Sequence, residues 1–354
     1  MGFGFRSSKL GGGLKVPWLN LGAIATVALA IGLITAKNLD AGPGNELLNV
    51  SYDPTRELYQ GLNAQFTANY AQTTGKHVRI KQSHGGSSRQ ARSVIEGQQA
   101  ADVVTLGLFT DVDALRKHGL IAEGWENRLP HHSQPYFSTI VFVVRKGNPK
   151  HIHDWPDLIT PGVSIITPDP RTSGNGKLSA LAAFGATLAQ GGSEAQARDY
   201  LKAFYEHVEV LDPAARTSAT TFAVQNIGDV HVTWEDEALR EVDESKGELA
   251  IVYPVRSILA EPYVAWVDVN VSRDKTGETA KAYLDFLFTD EAQETIAKLG
   301  FRPVNAEILE KYSSRLPKLD LFPVTLLARD WEDAQYKFFD EHGIVDTVLK
   351  PAFP

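Results

Sequence analysis

Residues 47–62 read LLNVSYDPTRELYQGL, and this stretch decides the fold class. Leu47 to Tyr52 is a short apolar strand. Asp53 and Pro54 then signal a helix start, with Asp as N-cap and Pro at the first helical position, where a missing N–H costs nothing. Leu58, Leu62, Phe66 and Tyr70 recur every four residues, which marks one face of a helix, and Gly75 closes it.

The same rhythm returns along the chain. Val78 to Gln82 reads as a strand, His84-Gly-Gly-Ser-Ser88 as a turn, and Arg89 to Glu96 as a helix stopped at Gly97. Val163 to Thr167 leads through the loop Pro168 to Gly176 into a helix from Lys177 to Gln190. Val208 to Leu211 leads through Asp212 to Ser218 into a helix from Thr220 to Asn226, and Asp229 to Thr233 into a helix that Trp234-Glu235 opens. Strands alternating with helices predict mostly parallel sheets covered on both faces, with ligands beyond the carboxyl ends of the strands. The strand-to-helix junctions are therefore the candidate sites. Each helix start carries unpaired N–H groups and about half a positive charge, and glycine lets a ligand approach that backbone.

Composition narrows the function. The chain has 354 residues, enough for two domains, and no Cys, which excludes a disulfide scaffold, a thiol nucleophile and a Cys-ligated metal. Its net charge of −8 argues against nucleic acid as the main partner. The basic start (Arg6, Lys9, Lys15) followed by the uncharged run Val16 to Ala36 has the layout of an export signal, cut after Ala36 or kept as an anchor. Ala41-Gly-Pro-Gly44 reads as a linker. Losing those three bases and no acid takes the 35 bases to 32 against 43 acids, so the exported body carries −11.

Enzyme motifs fail on inspection. Arg171 stands where a phosphate-binding G-x-x-x-x-G-K-[ST] loop needs its first Gly, and Leu178 follows Lys177. No G-x-S-x-G nucleophile elbow occurs. His131-His132 and His151-Ile-His153-Asp154 have no metal-ligand spacing and read as loop histidines. Glu235-Asp236-Glu237 reads as an acidic first turn, favourable against the helix dipole, rather than a catalytic pair.

Several strings taken together carry a specific likeness: the 47–59 segment, Gln82-Ser-His-Gly-Gly-Ser-Ser-Arg-Gln90, Ser138-Thr-Ile-Val-Phe-Val-Val-Arg-Lys-Gly-Asn-Pro149, His153-Asp-Trp155, Thr167-Pro-Asp-Pro-Arg-Thr-Ser-Gly174, Val210-Leu-Asp-Pro-Ala-Ala-Arg216 and Gly228-Asp-Val-His-Val-Thr-Trp-Glu235. In order and spacing the chain resembles the periplasmic sulfate-binding proteins of ABC importers. The resemblance implies a two-lobed periplasmic binding protein fold of type II, each lobe a mostly parallel sheet flanked by helices, with the ligand in a cleft between them. The long extended runs Ser138 to Arg145 and Ile251 to Val267 would be the crossings. Residues 46–137 plus 260–354 would then form one lobe and 138–259 the other, after a signal peptide or anchor and linker in 1–45.

The resemblance also implies a ligand set: the backbone N–H of Asp53, Ser87, Gly174, Asn175 and Ala215, the hydroxyl of Ser173 and the indole N–H of Trp234. Arg216 would stand behind the loops, holding peptide groups. Asn175 departs from the family, which usually has Gly there; Asn tolerates unusual backbone angles, which keeps its N–H in the set, but its side chain is expected to crowd the pocket. Sulfate carries no proton at neutral pH, so donors alone satisfy it, whereas hydrogenphosphate would bury an unmet O–H at a cost of about 1–3 kcal/mol. Thiosulfate and molybdate are the neighbouring alternatives, and a sulfo- or phosphoester hydrolase is the rival class. The implied partner is the membrane permease of an ABC importer. A monomer without cofactor or metal is expected, exported to the periplasm. The exported protein should have the intact mass of a chain lacking residues 1–36; a mass that includes them would mean a retained anchor.

Overall fold

The computed structural model describes Met1, Gly2 and residues 45–352, so the export segment and most of its linker lie outside the described residues. No described helix is long and apolar enough to cross a membrane. The strands that matter here are β1 (Glu46–Tyr52), β2 (Arg79–Gly85), β3 (Val103–Leu106), β4 (Ile140–Arg145), β5 (Ile165–Pro168), β6 (Val208–Asp212), β7 (Val230–Trp234), β8 (Leu249–Val252) and β9 (Tyr263–Trp266). The helices are α1 (Arg56–Thr74), α2 (Ser87–Ile95), α3 (Phe109–Lys117), α4 (Gly174–Ala189), α5 (Glu194–Glu206), α6 (Ala215–Ala219), α7 (Glu235–Glu244), α8 (Gly277–Phe286), α9 (Asp290–Lys298), α10 (Trp331–Phe338) and α11 (Ile344–Ala352).

Two sheets result. The first has the order β9-β3-β1-β2 and the second β6-β5-β7-β4-β8. In the first, β1 runs parallel to β2 and β3, and β9 is antiparallel to β3. In the second, β5 is parallel to β6 and β7, while β4 is antiparallel to both β7 and β8. The second sheet is thus more mixed than the strand–helix rhythm predicts. The antiparallel strands are those entered from the extended crossings, which bring no helix with them. Wherever a helix follows a strand the parallel expectation holds, and Val141 to Val144 read as a continuous apolar run because both faces of β4 are covered.

The first helix carries the expected face. Leu58, Leu62 and Phe66 are buried, and Gly75 closes the helix in the left-handed region at φ 71°. Its start differs from the expectation. Asp53–Thr55 is a single 3-10 turn, α1 begins at Arg56, and the Asp53 side chain caps no amide of its own helix. That carboxylate bonds elsewhere, as described below. The helix placed at Thr220 to Asn226 begins five residues earlier, as α6, and widens into a π turn over Thr220–Val224.

The chain passes between the sheets near residues 138 and 260, and the two passages touch. Ser138 N–H donates to Ala260 O at 2.9 Å and Ala260 N–H donates back at 3.0 Å. The end of the chain does not stay with the first sheet. Phe322 fills the space over Gly185, Phe338 meets Phe184 edge-on at 5.0 Å, and Lys337 pairs with Glu194 at 3.1 Å. Grouping all of 260–354 with the first sheet therefore leaves out the packing of residues 320–349 on α4 and α5, because their apolar side chains complete that helical layer.

A buried ion pair ties residue 302 to the start of α7. Arg302 reaches Glu235, the first residue of α7, at 2.6 and 2.8 Å, with both side chains almost wholly shielded. Replacing Arg302 by Ala strands a buried carboxylate and should lower the unfolding free energy by about 3–5 kcal/mol in urea titrations. The double change R302M/E235M should cost much less.

Candidate functional site

Each junction singled out from the sequence places its residue at a helix start. Ser87, Gly174 and Ala215 are the first residues of α2, α4 and α6, Asn175 is the second of α4, and Trp234 precedes α7. The first helical hydrogen bonds run from Gln90 to Gly86, from Lys177 to Ser173 and from Ser218 to Ala214. The amides of residues 87–89, 174–176 and 215–217 come before those bonds and have no helical acceptor. No side chain caps these three helices in the usual way, Ser173 included.

The starts converge. A Cβ added to Gly86 would collide with Thr172 O and lie 3.0 Å from Pro213 O, so this turn needs glycine to approach the other two loops. The position of a Gly174 Cβ is 3.1 Å from Ser87 Cβ and 3.8 Å from Gly107 Cα. A Gly107 Cβ would be 3.3 Å from the Trp234 ring, and Tyr52 packs on that ring at 5.5 Å between centroids. Asp53 joins the group through its Oδ2, which accepts the Arg216 N–H at 3.1 Å, while Oδ1 accepts from Arg56 at 3.2 Å. The carboxylate thus takes one amide of α6 and leaves its neighbour Ala215 free to face elsewhere.

Side chains behind the starts hold them in place. Ser87 Oγ donates to Asp111 Oδ2 at 2.5 Å and accepts from Gly107 N–H at 2.9 Å. Asn175 is turned away from the meeting point. Its Nδ2 donates to Thr233 Oγ1 at 3.0 Å and its Oδ1 accepts from Ser179 at 3.1 Å, which removes the crowding its size suggests. Trp234 is 0% exposed, and its indole Nε1–H has no hydrogen-bond partner among the described residues.

Four cations of these segments are paired. Arg56 meets Asp53, Arg171 meets Asp169, Lys177 meets Asp111, and Arg216 meets Glu57 and Glu237. The Arg216 guanidinium forks onto Glu57 at 2.9 and 2.7 Å, and these bonds hold the Glu57 carboxyl down to about 2. It therefore grips carboxylates, not peptide groups as expected; only its backbone N–H bonds toward the cleft. Burial pushes Asp236 well above the usual carboxylate range.

Sequence reading missed Gly107 and Asp111. The junction after β3 is a further strand-to-helix turn of the same kind, and the string Val103-Val-Thr-Leu-Gly107 was the signal for it. Nothing local distinguishes Asp111 or Glu57 from ordinary acids in a helix's first turn.

A family model described as bacterial extracellular solute-binding protein matches residues 48–302. The chain belongs to that family. This solute-binding protein is 49% identical over 327 residues to the sulfate-binding protein of Escherichia coli (strain K12), covering 92% of this chain and 97% of that one. It is 44% identical over 307 residues to the thiosulfate-binding protein of Pseudomonas aeruginosa, covering 86% and 92%. Among solved structures it is similar to the sulfate-binding protein SubI from Mycobacterium tuberculosis H37Rv, with a TM-score of 0.75, 29% identity and coverage of 84% of this chain and 100% of that chain. The solute-binding fold, with mixed sheets flanked by helices and two-lobed neighbours, is the one the family resemblance implies.

Beside the site, His84 Nδ1 lies 2.7 Å from Ser51 Oγ. Burial, then the charge of Arg56, pulls its pKa down to about 4. A depressed histidine is neutral in the fold and charged when unfolded, so the stability it contributes is complete above about pH 6.5 and is lost as pH falls toward 4. H84Q should flatten that part of the stability-versus-pH curve in denaturant titrations.

Proposed function

We propose that this protein is an extracytoplasmic receptor that binds sulfate between its two lobes and delivers it to the membrane permease of an ABC importer. The observation that carries this reading is the buried, unpartnered indole N–H of Trp234 where the turns before the helices meet. A buried donor without an acceptor is costly, and an anion at that point would relieve it together with the free amides around it. The proposed ligands are the N–H groups of Asp53, Ser87, Gly174, Asn175 and Ala215, Ser173 Oγ and Trp234 Nε1. Lobe one would be built on the first sheet and lobe two on the second, with the crossings at 138 and 260.

The pairing of Arg56, Arg171, Lys177 and Arg216 with carboxylates supports a cage of neutral donors. Peptide dipoles and hydroxyls then supply the field that balances two negative charges. Charge-assisted bonds of about 1.5–3 kcal/mol each, summed over such a set, overshoot any plausible affinity, so desolvation of the dianion and closure must cancel most of the gain. A net near −8 kcal/mol, micromolar binding, is the order of magnitude. An enzyme reading finds no support in a site whose side chains are donors or paired ions. The relative named for thiosulfate keeps that ligand as the second reading.

Equilibrium dialysis with labelled sulfate, competed by thiosulfate, molybdate and phosphate, tests the proposal. Sulfate should bind in the micromolar range or tighter, and phosphate should compete poorly, least of all where its proton is retained. Tighter competition by thiosulfate would favour the second reading. W234F, which keeps the ring and loses the donor, should weaken sulfate roughly 10–100-fold; unchanged affinity would remove Trp234 from the ligand set.

A further inference from the structure

Lys177 and Asp111 stand directly behind the proposed ligand set, and that reading does not use them. They belong to different halves of the molecule: Asp111 is in the first turn of α3, after the first sheet's β3, and Lys177 is one turn into α4, after the second sheet's β5. Lys177 is 7% exposed and Asp111 4%. Their charged atoms are 3.4 Å apart, and the Lys177 ammonium also donates to Gln335 Oε1 at 3.2 Å. Asp111 accepts as well from Ser87 Oγ at 2.5 Å and Ser88 Oγ at 2.8 Å. One carboxylate therefore fixes the start of α2 and receives a cation from the helix opposite.

We propose that Lys177 and Asp111 form a cross-cleft latch that positions the Ser87 turn against the start of α4, with Lys177 neutralising a carboxylate that would otherwise repel the bound dianion. The inference rests on the sulfate reading. Two arguments carry it. The pair bridges the two sheets away from the crossing at Ser138 and Ala260, so a rotation that opens the halves about that crossing separates the two charges. Asp111 is also joined through Ser87 Oγ to the Gly107 amide, and Gly107 packs on Trp234, so its charge lies within one residue of the proposed ligand shell.

A latch of this kind has a signature that simple packing lacks. In the closed state, loss of Lys177 leaves Asp111 as an unpaired buried charge beside an anion; in the open state water solvates both groups. The two residues should thus be coupled in ligand binding and nearly independent in the stability of the ligand-free protein.

The test is a double-mutant cycle on the full chain with K177M, D111N and K177M/D111N, reading sulfate Kd and koff by Trp234 fluorescence and ligand-free stability by urea titration. K177M should raise Kd roughly 10–100-fold, mainly through a faster koff, and adding D111N should recover a large part of that loss. K177R, which keeps the charge, should stay within a few-fold of the parent and guards against misfolding of K177M. Additive effects on Kd, or a coupling of equal size in the ligand-free unfolding free energy, would overturn the latch while leaving sulfate binding intact. A parent protein that binds no sulfate would overturn the functional reading and the latch with it.

Discussion

A charge removed from water must be met by an opposite charge or by oriented dipoles, and this constraint governs the interior of the protein. Each buried cation near the cleft has a carboxylate: Arg302 with Glu235, Lys177 with Asp111, Arg216 with Glu57 and Glu237. The helix starts at Ser87, Gly174 and Ala215 take no side-chain cap from their own N-cap residues, and their turns approach one another. Ions are thus balanced by ions in the walls, and dipoles are left over at the centre. That division permits a small anion to be held without any formal positive charge beside it.

The fold was legible because its signals are local. Period-four apolar residues, Asp-Pro starts and Gly stops lie within one segment, and they placed β1 and α1 to within a few residues. The junctions Ser87, Gly174, Ala215 and Trp234 were legible for the same reason, since a strand followed by a Gly- or Ser-rich turn defines a helix start wherever it occurs. What escaped the sequence was cross-chain. The Asp53 carboxylate caps α6 rather than its own helix, and that choice depends on Arg216, 163 residues away. Asp111 looks like a surface acid until α4 brings Lys177 to it. The return of residues 320–349 to α4 is likewise a fact about matching surfaces, which periodicity does not encode.

Asn175 shows how a polar side chain at a helix start is taken up by its neighbours. Thr233 accepts from its Nδ2 and Ser179 donates to its Oδ1, so the side-chain amide is absorbed into the wall. The polar neighbours, rather than the residue's size, decide the outcome.

The reciprocal hydrogen bonds between Ser138 and Ala260 give the molecule a particular mechanics. Two strands laced together share a single torsional axis, so one cannot slide while the other stays still. On the two-lobe reading proposed above, such a pair of bonds favours rotation about the crossing over sliding of one passage past the other. A docking surface that senses the angle of that swing would read occupancy from geometry alone, with no need to touch the cargo.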